Sequence, residues 1–351
     1  MRLPGSLIIG AFAIWSSFGS PTGAGDQLLV PRDPRDLLRE LASATDAEWT
    51  AVQRGQAVAK LLDTDSREVA VAGAVRIAAP RKLLVARLRD IESLERSAIV
   101  LDVGRFSAPP RPADLARVAF EDRSLDLRDC RPGDCPVRLS ADDIARFHRE
   151  VDWRAGDWRV RSAAVWRDVL AGHTAAYVAR GSRALPVYVN KEEPLSVPAE
   201  LSLLVERFEV LSTVAPDFHR YLNDLRPSSL KDAAHLVYWS KEDFAIRPII
   251  RISHQVAISA SDETLPVLVT TNQIYADHYL DAALGIVLAI DVPDTHGDNE
   301  FYMVAVNRAR TRSLSGWLRR FARSTVERRS RDGLLKILVS TKKALEDQAG
   351  S

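Results

Sequence analysis

Ile250-Arg-Ile-Ser-His-Gln-Val-Ala-Ile258 decides the fold. Ile250, Ile252, His254, Val256 and Ile258 fall on one face at period two, and Arg251, Ser253, Gln255 and Ala257 fall on the other. That is the alternation of a strand with one face turned to a core. A strand beginning near Leu236 precedes it, and strand patterns at 265–274, 282–290 and 301–308 follow. Turn signals at Ser261-Asp-Glu263 and at 293–298 separate them, so an antiparallel meander is expected rather than a parallel sheet. Next comes a long amphipathic segment, 313–346, with Leu314, Trp317, Leu318, Phe321 and Thr325 as an apolar stripe. Arg328 and Asp332 interrupt that stripe before Gly333, which predicts a kink or restart there. The order predicts an α+β fold, a curved antiparallel sheet closed by a long C-terminal helix.

Upstream of the meander lies a helical block, 140–230. Ser140-Ala-Asp-Asp143 opens it in the manner of a capping box, with Ile144, Phe147 and Val151 at helical spacing. Its longest helix, 157–179, carries Trp166, Leu170, His173 and Tyr177 on one stripe, and further helices are expected at 198–211 and 216–225. The preceding Pro-, Asp- and Arg-rich region, 105–139, offers brief strand candidates at 116–120 and 125–127. It also holds Cys130 and Cys135, the two cysteines of the chain, around Arg131-Pro-Gly-Asp134. Pro presets the first turn position and Gly accepts the positive φ of the second, so the turn brings the thiols together. In an exported chain that predicts a disulfide that pins a loop. The spacing is not that of a redox pair, and no further metal ligands stand nearby.

Closer to the start, 33–43 and 46–53 read as short helices capped by Asp33 and Asp46, with Leu37, Leu38 and Leu41 on one face. Strands at 56–62 and 68–77, a helix at 80–94 and a strand at 98–103 follow. Residues 1–25 combine Arg2, an apolar run through Trp15 and a small-residue exit, the pattern of a secretory signal peptide. The expected organisation is a signal peptide (1–25), an N-terminal helical segment (26–55) and a main domain (56–347). The disulfide loop region (105–139) and the helical insertion (140–230) lie within that domain. Export to the periplasm or the extracellular space is the corresponding localisation.

The composition, 46% hydrophobic and 27% charged, is that of a globular chain with a sizeable core rather than a disordered one. Residues 308–343 hold twelve Lys and Arg against Glu327 and Asp332, so the rest of the chain is acidic overall. This basic helix is either a solvated outer face or an attachment to an anionic membrane surface. Nucleic acid is disfavoured by the export signal and by the absence of a binding motif. No G-x-S-x-G elbow, H-E-x-x-H, phosphate loop or dinucleotide fingerprint occurs, and neither a cofactor nor a metal is implied.

Several side chains invite a functional reading beside a structural one. His254 lies on the apolar face of its strand, where an imidazole needs a hydrogen-bond partner and can meet a ligand. Tyr275-Ala-Asp-His278-Tyr279 gathers rings and a carboxylate at a strand junction, although strand alternation sets Asp277 and His278 on opposite faces. Arg308 ends the last strand, in reach of a ligand carboxylate or phosphate, or of an acidic neighbour. Asp291, Asp294, Asp298 and Glu300 crowd a turn with His296 but lack a calcium-loop order.

Two strands, a helix opened by Ala79-Pro80, further strands, a meander and a terminal helix beginning near Gly316-Trp317 together resemble the START-like helix-grip superfamily. Gly73-Ala-Val-Arg-Ile-Ala-Ala-Pro80-Arg-Lys-Leu-Leu is similar to the strand-to-helix passage of those domains. The resemblance covers 56–104 and 236–346 and leaves the cysteine loop and helical block as an insertion. It implies a lipid-like, hydrophobic or amphipathic small molecule enclosed between sheet and helix. His254, Tyr275 and Arg308 would then anchor it, with Val256, Trp317, Leu318 and Phe321 lining or shutting the cavity. Two other expectations stand beside this one. The first is a cell-envelope enzyme using His254 with a distant partner, and the second is a non-catalytic interaction protein with a filled core.

Overall fold

The computed structural model describes residues 33–89, 100–230, 233–243, 247–258, 267–292, 299–314 and 320–350. The signal-peptide segment, the two hairpin turns at 261–263 and 293–298, Trp317 and Leu318 lie outside them. Among the described residues the chain is α+β, with ten helices and a large antiparallel sheet. Its strands are β1 (Val58–Leu61), β2 (Glu68–Ile77), β3 (Val100–Arg105), β6 (Ala234–Glu242), β7 (Ile249–Ile258), β8 (Val267–Ala276), β9 (Ala282–Asp291) and β10 (Phe301–Arg310). They lie in the order β1-β2-β10-β9-β8-β7-β6-β3, so the meander is flanked by the early strands and the sheet stays open at β1 and β3. A separate two-stranded ribbon, β4 (Val187–Tyr188) with β5 (Leu195–Ser196), was not expected inside the helical block.

Period-two alternation divides the apolar residues of the sheet between two cores. On one side Ala72, Ala74, Trp239, Ile252, Val256, Leu284, Ile286, Val304 and Val306 pack under helices. These are α1 (Pro34–Ala42), α2 (Asp46–Gln53) and the block of α4 (Asp122–Leu125), α5 (Ala141–Glu150), α6 (Trp158–Arg180), α7 (Val197–Val205), α8 (Leu211–Val214) and α9 (Pro216–Asp224). We call this the insertion side. On the other, the helix side, Val71, Val75, Ile77, Val267, Val269, Met303 and Ala305 meet α3 (Arg81–Arg89) and the C-terminal helix α10 (Arg320–Ala349). Helix α10 packs on β1 and β2, and Gly73 permits it: a Cβ there would stand 2.7 Å from Leu338 Cδ1 and 2.5 Å from Val58 O. Among the described residues no helix is long and apolar enough to cross a membrane.

Local chemistry sets the helix ends. Asp33 caps α1, whereas α2 is capped by Thr45 in a reciprocal box with Glu48 rather than by Asp46. Helix α10 runs unbroken through Gly333, because the apolar seam does not stop there. It continues as buried Leu334, Leu338, Thr341 and Leu345, at offsets that keep one face on the sheet. The strand candidates at 116–120 and 125–127 are not strands. Their region forms a 3-10 turn, Pro112–Leu115, and helix α4. Its carbonyls bond to α6 side chains instead of a ladder: Trp166 Nε1 donates to Ser124 O, Ser162 Oγ to Leu125 O and Arg167 Nε to Leu115 O.

Candidate functional sites on the two faces of β7 and β8

Register fixes what each face offers. Down most of the β7–β8 ladder the residues pair in sequence, Val256 with Thr270, His254 with Asn272 and Ser253 with Gln273. A bulge then pairs Ile252 with Tyr275, one residue out of step. The extra residue moves Tyr275 onto the insertion side, where parity alone would have left it with Gln273 on the helix side.

On the insertion side His254 is 0% exposed and sits in a hydrogen-bonded chain. His235 Nε2 lies 3.1 Å from Leu230 O, His235 Nδ1 lies 3.1 Å from His254 Nε2, and His254 Nδ1 lies 2.7 Å from Tyr177 Oη. Asn272 Nδ2 donates to Tyr177 Oη at 3.1 Å, and the Tyr221 hydroxyl lies 3.4 Å from His254 Nδ1. A carbonyl only accepts, so neutral His235 carries its proton on Nε2 and accepts at Nδ1. His254 then donates from Nε2 and accepts the Tyr177 hydroxyl proton. Every direction in the chain follows from its first member. Burial, with His235 beside it, pushes the His254 pKa down to about 3, and burial also lowers that of His235 against the Leu230 carbonyl. Burial raises both Tyr177 and Tyr221. The chain therefore holds neutral groups in a fixed polarity. His254 meets a hydroxyl, as the enzyme expectation requires, but inside the packed core.

The other expected anchors share this side. Tyr275 Oη donates to Arg138 O at 3.1 Å, with its ring edge-on to Tyr188. Arg308 binds the wholly buried Glu68, Nη1 to Oε1 at 2.6 Å, and lies over the Phe208 ring. Arg310 joins Glu200 of α7 at 2.6 Å, and Arg138 joins Asp281 at 2.7 Å, so ion pairs fasten the insertion to the sheet end. Val256 is buried in the same core. His254, Val256, Tyr275 and Arg308 thus face the helical insertion, on the side of the sheet away from α10. Phe321 is the second residue of α10.

Asp277 and His278 do come together, Oδ1 to Nδ1 at 2.7 Å. Strand β8 ends at Ala276, so alternation no longer separates them. His173 pairs with Asp143 at 3.2 Å. Asp291 and Glu300, the described members of the acidic turn, pair with Arg81 and Arg76. Among the described residues no His, Cys, Asp or Glu group could hold a metal ion. Cys130 and Cys135 are bonded, their sulfurs 2.01 Å apart, around a turn in which Gly133 takes φ +88°.

The helix side of the same strands holds what sequence reading missed. Ser253 and Gln273, paired across β7 and β8, are 1% and 2% exposed. Ser253 Oγ and Gln273 Oε1 have no hydrogen-bond partner among the described residues. Around them stand buried Gln255, Tyr238 and Ser240, and beside those Ala257, Val267, Val269 and Val287 continue the apolar surface. Such a surface is apolar at one end and polar at the other, where Ser240 Oγ donates to buried Glu242, itself paired with Arg251. Alternation places Ser253 and Gln255 with Arg251 on the face away from Ile250 and Val256, and that charged neighbour hid the fact that this face too is covered.

Comparison with family models, with curated proteins and with solved structures finds no match. The reading of either face rests on its geometry.

Proposed function

We propose that the protein binds an amphipathic, lipid-like small molecule on the helix side of the sheet, its apolar part against Val267, Val269 and Val287 and its polar part at Ser253 and Gln273. The observation that carries this reading is two buried oxygens on residues paired across β7 and β8, Ser253 Oγ and Gln273 Oε1, without partners among the described residues. Buried polar atoms are almost always bonded, and pockets for small ligands combine apolar walls with a few such groups. The chain order of two strands, helix, strand, meander and closing helix supports a helix-grip reading of the same surface.

Native mass spectrometry of the protein purified from its producing cells, followed by organic extraction, tests the proposal. A stoichiometric lipid-like adduct, lost in a folded Ser253→Val/Gln273→Leu variant, is the expected result. An adduct retained by that variant, or none on the wild-type protein, overturns it. Val269→Trp should likewise block uptake, whereas Val256→Trp, on the insertion side, should unfold the core.

A further inference from the structure

Helix α10 turns one seam to the sheet, through Leu334, Leu338 and Leu345, and the outward line beside that seam carries an unusual mixture. Leu335 and Val339 on this line are 36% and 52% exposed, whereas Ile337, also 52% exposed, projects from the other flank of the helix. Leu335 and Val339 stand one turn apart, and the same line continues through exposed Arg328, Arg331 and Lys343 at steps of three or four residues. Arg329 and Lys336 flank it, also exposed. Arg331 is paired with Asp332 and Lys343 with Asp347, but Arg328, Arg329 and Lys336 have no ion-pair partner among the described residues.

An outward solvated face needs no apolar residues, and a face for an apolar protein groove needs no unpaired cations. Both together fit a surface that is anionic at the level of its head groups and apolar a few ångströms below. Long basic side chains reach the charges while the shorter Leu and Val side chains enter between them. We infer that this face of α10 docks the protein, lying flat, on an anionic lipid membrane. The sheet side of the helix is already fastened: Glu346 Oε1 accepts Ala78 N–H and Lys342 Nζ donates to Arg76 O. Docking therefore needs no rearrangement of the fold.

Co-sedimentation of the full-length purified protein with vesicles of phosphatidylcholine, alone or mixed with phosphatidylglycerol, tests the inference. Binding is expected to the mixed vesicles only, falling as salt is added. Each of Arg329→Glu and Lys336→Glu should weaken it at least about fivefold. Leu335→Asn/Val339→Asn should also weaken it, with unchanged circular dichroism melting. A Val339→Trp variant should gain fluorescence quenching by bromine-labelled lipid tails over the wild-type protein. The inference is overturned by failure to bind mixed vesicles at low salt. It is equally overturned if the Leu335/Val339 variant binds as wild type, or if the protein binds soluble polyglutamate but not vesicles.

Discussion

His235 Nδ1 and His254 Nε2 face each other at 3.1 Å, and only one proton lies between them. The Leu230 carbonyl decides whose it is, because it accepts the single ring N–H of neutral His235 at Nε2 and leaves Nδ1 to accept from His254. Protonating His235 would set two N–H groups head to head unless His254 changed tautomer, which would in turn reverse its bond to Tyr177.

Acid should therefore destabilise the fold through this chain. The His254 pKa is pushed down to about 3 in the folded state, whereas an unfolded histidine titrates near about 6.5. Between those values the unfolded chain binds the extra proton, so stability falls as pH falls through the window, at about 1.4 kcal/mol per pH unit for this residue. Above it, His254 contributes no pH dependence. Urea unfolding at about pH 7.5 and about pH 5 should show a smaller drop for His254→Gln than for the wild-type protein. Equal drops would remove His254 from the account.

Glu68 lies wholly buried between Arg308 and Arg310. Replacing it with Gln leaves Arg308 without its counter-charge, whereas Arg310 keeps Glu200 and Asp65. The change should cost roughly 3 kcal/mol in urea unfolding. A loss within error of zero would mean that Arg308 does not depend on Glu68 for its counter-charge.

Gly73 sits where α10 crosses β2. A valine there meets both the Val58 carbonyl and the Leu338 side chain, so Gly73→Val should lower stability by about 2–3 kcal/mol. A thermal melt of this variant that matches the wild-type protein would show that α10 can lift away without loss.

Reducing the Cys130–Cys135 bond opens a loop with a sequence separation of only 5. Loop-closure entropy for so short a ring predicts a loss of about 2 kcal/mol. The melting temperature should drop on adding dithiothreitol while the far-ultraviolet spectrum below the transition stays unchanged; loss of that spectrum would show a larger role.

Strand alternation made the sheet legible from sequence: β7, β8, β9 and β10 lie close to where periodicity puts them, and His254 and Val256 share a face as expected. Alternation says which residues share a face but not which neighbour covers it. The helical insertion, not α10, took the side with His254. The Tyr275 bulge was hidden for a related reason, since one extra residue changes parity without changing composition. His235 was overlooked because its nearness to His254 depends on the β6–β7 register, in which His235 pairs with Val256 and Val237 with His254. The unbroken α10 was misjudged locally: a polar stretch at 328–332 resembled an end, whereas the seam resumes at Leu334.

Strands β3 and β6 are antiparallel neighbours, and Phe106 N–H already bonds to Val237 O. In connectivity, then, everything between them is one overgrown hairpin loop whose two stems never part company. In energetics it is the reverse of a loop, because Trp239, Ile252 and Val256 would meet water without it. A chain trimmed to a direct β3–β6 turn would keep its strand register and lay that core open to water, so the segment that looks most like a late addition is the one the sheet can least do without.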